Sequence, residues 1–154
     1  MTIAFSSPVT GAAQTGLTSP TYTNVAMSAP DVNAKQIAVT ALGGTQTGVD
    51  AHSVARPFTT AFWWPKILRV LPALNSSGQL PSVPMNVYKM ITRKGVYPLA
   101  GQPSKTMLIT TIIEVPAGAD LADPTNVRAA LSCHLGALTQ QSAGIGDTSV
   151  SGVA

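Results

Sequence analysis

Two long runs of alternating apolar and polar residues dominate the pattern, Met85–Lys94 and Lys105–Val115. Both are rich in β-branched and aromatic residues, which suit a pleated, half-buried surface. The intervening Gly95–Ser104 holds two glycines and two prolines and reads as a turn region. The two runs therefore predict a long antiparallel hairpin. In the first arm Val87, Lys89, Ile91 and Arg93 share one face, and Tyr88, Met90, Thr92 and Lys94 share the other. Further on, Val127, Leu131, Leu135 and Leu138 recur at spacings of four, four and three, one apolar stripe of a helix. Asp123-Pro124 supplies its start, an N-cap oxygen followed by a proline in the first turn. The helix is expected over Pro124 to about Gln141, with Gly136 a weak point inside it.

Shorter signals fill in the rest. Residues 1–19 read as an arm or irregular extended segment. Thr21–Met27 and Lys35–Leu42 predict an N-terminal β-hairpin turning through Ala29–Ala34. Gly43–Gly48 reads as a flexible connection, and it lacks the lysine ending and the strand-to-helix setting of a phosphate loop. Val54–Phe62 predicts a strand interrupted by Pro57, and Lys66–Leu71 a short strand pairing antiparallel with Met85–Lys94. Trp63-Trp64 is read as a core or subunit-interface anchor in preference to a base-stacking platform. The tail Asp147–Ala154 reads as extended or a brief turn. The fold class expected is α+β: an N-terminal β-hairpin, an antiparallel meander of about five strands, and a C-terminal helix. The 154 residues are one domain, with arm and hairpin in 1–48, sheet in 54–116, helix in 123–142 and tail in 143–154.

One helix cannot cover a sheet of five strands. A second copy is the simplest cover, each helix lying across the other subunit's sheet, so Val127, Leu131, Leu135 and Leu138 become candidate dimer-interface residues. Composition points the same way. Charged residues make up only 10% of the chain, so its surface is poorly guarded against association.

Charge distribution adds a partner. Residues 51–113 carry seven cations (Arg56, Lys66, Arg69, Lys89, Arg93, Lys94, Lys105) and no acid, within a chain of net charge +3. The C-terminal part is mildly acidic. A basic middle of this kind favours a polyanion.

Catalytic signatures are missing. His52 and His134 stand in no metal-ligand spacing, and the single Cys133 makes neither a zinc site nor an intrachain disulfide. Cys133 is expected to be buried and inert in the helix, and His134 packed or interfacial. No carboxylate pair and no Gly-x-Ser-x-Gly elbow is present. An enzyme, a cofactor, a metal and a small-molecule substrate are therefore not expected. No apolar run approaches the ~18 residues of a membrane span, and the N-terminal residues lack a basic leader, so neither a membrane nor a standard export route is expected.

From about Lys66 to Val153 the chain resembles the coat proteins of single-stranded RNA bacteriophages, the levivirus-type family. The resemblance rests on Ser77-Gly78-Gln79 between two strands, Val87-Tyr88-Lys89, Arg93-Lys94-Gly95-Val96 and Pro98–Pro103. It continues through Ile109–Asp120, Ala122-Asp123, Asn126–Ser132, His134–Leu138 and Gly144–Thr148. It implies an interlocked homodimer with a joined sheet, assembled into an icosahedral shell of T=3 type around single-stranded genomic RNA. The virion, put together in the bacterial cytoplasm, would be its location. It further implies that the sheet binds an RNA hairpin to repress translation. On that reading Lys66, Arg69, Lys89, Arg93, Lys94 and Lys105 are candidates for phosphate contact, and Tyr88 and Thr110 for base contact. The Lys89/Arg93 face is the one expected to meet RNA, since two aligned cations resist burial under a helix. A non-capsid RNA-binding dimer and a structural subunit of a tail or pilus are the alternatives.

Overall fold

The computed structural model describes residues 2–153. Six antiparallel strands form one sheet in chain order: β1 (Val9–Thr10), β2 (Thr18–Met27), β3 (Ala34–Thr45), β4 (Phe58–Trp63), β5 (Met85–Val96) and β6 (Lys105–Pro116). Three helices follow: α1 (Ala119–Ala122), α2 (Pro124–Gln140) and α3 (Ser142–Ser151). The α+β class, the early hairpin, the meander and the long helix are as expected. The β2–β3 hairpin is continuous with the sheet.

The long hairpin is β5–β6, paired without a bulge from Met85↔Pro116 to Val96↔Lys105. β6 is an edge strand of twelve residues, and its outer row of backbone N–H and C=O groups faces no other strand. Its two charges, Lys105 and Glu114, lie near its ends, and it carries no proline before Pro116 and no bulge of the kind with which natural edges are blunted.

Four local expectations are corrected. Lys66–Leu71 is not a strand; the neighbour of β5 is β4, from Phe58↔Lys94 to Trp63↔Lys89. Residues 64–84 instead form an irregular excursion, held where Asn86 replaces a strand partner. Its side-chain Oδ1 accepts from Arg69 N at 2.8 Å and its Nδ2 donates to Arg69 O at 3.0 Å. Second, β4 starts after Pro57, which has no N–H to give a ladder. The first strand amide, Phe58 N, donates to His52 Nδ1 at 3.0 Å. Third, Gly43, Gly44 and Thr45 extend β3 and are not a loose connection. A Cβ on Gly43 would collide with the Thr21 hydroxyl across the strand pair, so glycine is what lets β2 and β3 approach there. Fourth, the tail is helical. α3 is docked by Gln14, whose Nε2 donates to the Ser142 carbonyl and hydroxyl at 2.9 Å each, and by Thr15 Oγ1, which donates to Asp147 Oδ2 at 2.9 Å.

The core is thin. Its buried apolar residues are Ala34, Ile37, Ala38, Val39, Ala61 and Ala117, all but one on or between the central strands. Ile37 and Val39 are covered by the N-terminal arm, which crosses one face and is pinned by Asn24: its side-chain Nδ2 donates to Ser6 O and its backbone N–H to Ser7 Oγ. α2 starts as expected, with the Asp123 carboxylate accepting from Asn126 N and Pro124 at the first position. It buries no residue at all. Its neighbours in the chain are α1 and α3, and its apolar stripe is uncovered, with Leu135 half exposed.

Candidate nucleic-acid and assembly interface

Register sorts the sheet's side chains into two faces, because opposed residues of an antiparallel pair project to the same side. On the first face lie Tyr88, Met90, Thr92 and Lys94 of β5, Phe58, Thr60 and Phe62 of β4, and Lys105, Met107, Ile109 and Thr111 of β6. This face is mainly apolar. Phe5 of the arm and Tyr22, Ile37, Phe58, Met90 and Ile109 line a shallow hollow on it.

Lys94 and Lys35 of the first face, and Arg56 beside it, are engaged within the chain, while Lys105 at the start of β6 has no such partner among the described residues. Lys94 Nζ donates to the Asp50 carbonyl and sits 4.4 Å from the centroid of the Phe58 ring. Burial, and then the nearby Arg56 charge, pull its pKa below the usual lysine value. Arg56 is ion-paired with Asp50 and stacks 4.2 Å over Tyr97. Lys35 donates to Ile3 O at 2.6 Å. Tyr88 stacks on Phe62 with centroids 6.4 Å apart.

The second face carries three cross-strand rows. One runs Ala34, Trp63, Lys89, Ile112; the next Gln36, Ala61, Ile91, Thr110; the third Ala38, Thr59, Arg93, Leu108. Lys89 Nζ lies 5.0 Å and Arg93 Cζ 5.6 Å from the Trp63 ring centroid. Among the described residues the two ion pairs are Arg56–Asp50 and Lys66–Asp31, so neither Lys89 nor Arg93 is neutralised by a carboxylate. Glu114 is the one acid that β5 and β6 place on this face, opposite Val87.

The eight residues singled out from sequence therefore do not form one cluster. Lys89, Arg93 and Thr110 share the second face. Tyr88, Lys94 and Lys105 lie on the first. Lys66 and Arg69 lie in the excursion, off the sheet; Lys66 reaches Asp31 at the β2–β3 turn at 3.0 Å. Trp63, read as a packed anchor, is half-buried on the second face under Lys89 and Arg93, which have no carboxylate partner and lie over its ring. The strict alternation of β4 would have placed it there, had Phe58–Trp63 been recognised as the partner of β5.

On the helix, Val127 is half-buried, while Leu131, Leu135 and Leu138 are exposed at 36%, 50% and 40%. Cys133, expected to be buried, is exposed, and so is His134. The β6 edge carries further uncovered apolar residues, with Leu108 60% and Ile112 59% exposed. An uncovered stripe, an uncovered sheet and an open edge in one chain are the marks of a surface built to be covered. Among the described residues no group of three His, Cys, Asp or Glu is placed to hold a metal, and no helix is long and apolar enough to cross a membrane.

No family model and no curated protein matches the chain. Solved structures do. A virus-like particle of bacteriophage ESE020 has a chain 52% identical, superposing with a TM-score of 0.97 over 99% of this chain and 100% of that one. A virus-like particle of Beihai levi-like virus 32 is 14% identical over 86% and 88% of the two chains, with a TM-score of 0.47, a level that establishes nothing by itself. Identity above one half over essentially the whole length of both chains leaves the fold, its uncovered stripe and its open edge with one common explanation: this chain belongs to the levivirus-type coat proteins, the capsid-forming structural proteins of single-stranded RNA bacteriophages.

Proposed function

We propose that two copies of this chain join along their β6 edges, that the α2 stripes are covered across the two-fold axis, and that the resulting shell holds single-stranded RNA against the Lys89–Arg93 face. The joined edge satisfies the outer backbone groups of β6, which otherwise face nothing. Covering Val127, Leu131, Leu135 and Leu138 removes the apolar stripe from water, at about 25 cal/mol for each Å² of apolar area. The reading of the RNA face is carried by one observation: Lys89 and Arg93 stand together on the second face with no acidic or carbonyl partner, whereas on the other face Lys94 and Lys35 are bonded to backbone carbonyls and Lys105 stands alone at one end of β6. Phosphates supply the missing counter-charge, and binding releases the counterions of the RNA. The whole chain acts as one coat domain, and assembly takes place in the bacterial cytoplasm, where the genomic RNA is.

The test is to express the chain alone in bacteria and image the purified material. Uniform closed particles whose RNA survives nuclease are expected. Particles devoid of nucleic acid would overturn the RNA assignment while leaving the shell. Within that test, Lys89→Ala with Arg93→Ala should weaken RNA binding and flatten its salt dependence, by ~0.7 in log–log slope for each lost phosphate contact with a single strand. The dimer should remain intact, and an unchanged slope would refute the choice of face.

A further inference from the structure

We infer that the excursion between β4 and β5 is a second assembly contact, in which Ile67–Leu71 of one dimer pairs with the same segment of a neighbouring dimer across a further two-fold axis. The inference rests on the proposed β6 pairing and deepens it. A two-fold contact joins two copies and then closes, so a shell built from such dimers needs a contact of another kind.

Four observations place that contact on the excursion. First, it is apolar and uncovered. Ile67 is 83% and Val70 77% exposed, and Leu68, Leu71 and Leu74 are exposed with them. Outside the strands and helices, no other stretch of the described residues exposes so many large apolar side chains together. Second, it is tied down. Lys66 reaches Asp31, Asn86 holds both backbone groups of Arg69, and Leu71 lies against Gly118. The turn beyond is closed by Asn75 Oδ1, which accepts from Ser77 N at 3.0 Å and Gln79 N at 2.9 Å. A segment fixed in this way loses little further freedom on meeting a partner. Third, it offers a strand edge. Its residues have strand composition, and the chain makes no turn or bend from Leu68 to Asn75. Asn86 occupies the N–H and C=O of Arg69, so Leu68 and Val70, one step to either side, aim theirs away from it. Among the described residues those groups have no backbone partner. Fourth, the sheet's other edges leave the excursion to its own copy. The β6 edge is taken in the proposed dimer, and β1 is two residues long. Only residues with outward-facing groups can form hydrogen-bonded pairs, which restricts the register. Leu68 against Val70 would set the two Arg69 side chains directly opposite each other, a destabilising pair. What remains is Leu68 opposite Leu68 or Val70 opposite Val70.

The chain has one cysteine, Cys133, which is exposed, so Cys133→Ser gives a thiol-free background. Leu68→Cys and Val70→Cys are placed in it separately, and assembled and dissociated protein are oxidised mildly. Directly opposed residues of a hydrogen-bonded pair have Cα atoms about 5.5 Å apart, within reach of a disulfide. One of the two positions should therefore cross-link to itself in particles and not in dissociated dimers. A disulfide at neither position overturns the inference. A disulfide that forms in dissociated dimers also overturns it, since the contact would then lie inside the dimer. Two further variants separate backbone from side chain in the otherwise native protein. Val70→Pro removes an outward N–H, and Val70→Ser removes apolar surface. Both should sediment as native dimers yet need a concentration at least about 10-fold higher to assemble. Native assembly by both, or loss of the dimer itself, counts against the excursion as a contact between dimers. If dissociated native protein sediments as a monomer, the β6 pairing fails by itself, and the cysteine pair still decides whether the excursions meet in the particle.

Discussion

Replacing Asn86 with alanine should free the excursion between β4 and β5 without unravelling the sheet. Asn86 is 5% exposed, and its amide makes two hydrogen bonds to the backbone of Arg69, one donated and one accepted. Each such bond contributes a net ~0.5–1.5 kcal/mol, so their joint loss costs about 2 kcal/mol. The upper end applies if the Arg69 N–H and C=O stay shielded, the lower if water reaches them. Because Arg69 itself is exposed, a value near the middle is expected. At 1.4 kcal/mol per decade, 2 kcal/mol raises the local opening constant about 30-fold. Hydrogen exchange reads this directly: the Arg69 amide should exchange about 30-fold faster in Asn86→Ala, while amides of β5 and β6 change little. Trypsin, cutting after Lys66 or Arg69, should nick the variant first at this point. Asn86→Asp is the sharper control. It keeps the acceptor for Arg69 N but turns a second oxygen toward Arg69 O, so it should open the excursion at least as much as alanine does. Unchanged Arg69 exchange in both variants would show that packing, such as that of Leu71 against Gly118, holds the excursion and that the amide clamp does not.

Other perturbations test the remaining contacts. On the proposed pairing of two copies, Leu131→Ala with Leu135→Ala should shift sedimentation toward monomer, costing ~2–5 kcal/mol per leucine if each is buried by a partner. If the stripe stays exposed in solution the cost stays within about 0.5 kcal/mol. Gly95→Ala should destabilise by at least ~1–3 kcal/mol in chemical denaturation, since its Cβ would sit 2.7 Å from the Arg56 Cα and 3.0 Å from the Pro57 Cδ. The Asp31–Lys66 pair predicts a pH effect: the lysine's hydrogen bond to the carboxylate, first, and then that of the Val32 N–H hold the Asp31 pKa below its ordinary 3.8. A depressed folded-state pKa stabilises above the unfolded value and loses that stabilisation as pH falls through the folded one. Stability curves of native protein and Lys66→Met should therefore differ slightly near neutrality and converge under more acid conditions, and a gap that persists there would refute the pairing.

Where local chemistry decided the structure, the residues announced it. Asp123-Pro124 caps α2 as its side chains require, and the alternation of Met85–Lys94 and Lys105–Val115 became β5–β6 in full register. The misreadings arose where distant groups decided. Lys66–Leu71 has strand composition, but the place beside β5 belongs to Phe58–Trp63, and the amide of Asn86 satisfies the backbone of Arg69 from the side. Residues 142–151 include two glycines and few strong helix formers, and nothing local favours a helix; α3 is held by Gln14 and Thr15, 128 and 132 positions away from Ser142 and Asp147. The candidate site divided for a related reason. Alternation alone separated Lys89 and Arg93 from Tyr88 and Lys94, but the location of Trp63 and Lys105 depended on which strands flank β5.

The unguarded edge of β6 has a consequence in symmetry. When a strand pairs antiparallel with its own copy about a two-fold axis, residue i faces j and j faces i, so the two numbers have a constant sum. Opposed side chains project to the same side, and both copies turn their Lys89–Arg93 faces the same way only if that sum is even. Odd sums would set the apolar face of one copy beside the cationic face of the other. A slip by one residue is therefore forbidden, and register errors can occur only in steps of two. The even sums that keep the most of Lys105–Pro116 paired set Thr110 opposite Thr110 or Thr111 opposite Thr111. In either case the axis passes through a threonine pair, one of the cross-strand partnerships that sheets favour. On the proposed pairing of β6 with its own copy, parity along one strand thus determines whether a closed shell has a uniform inner wall.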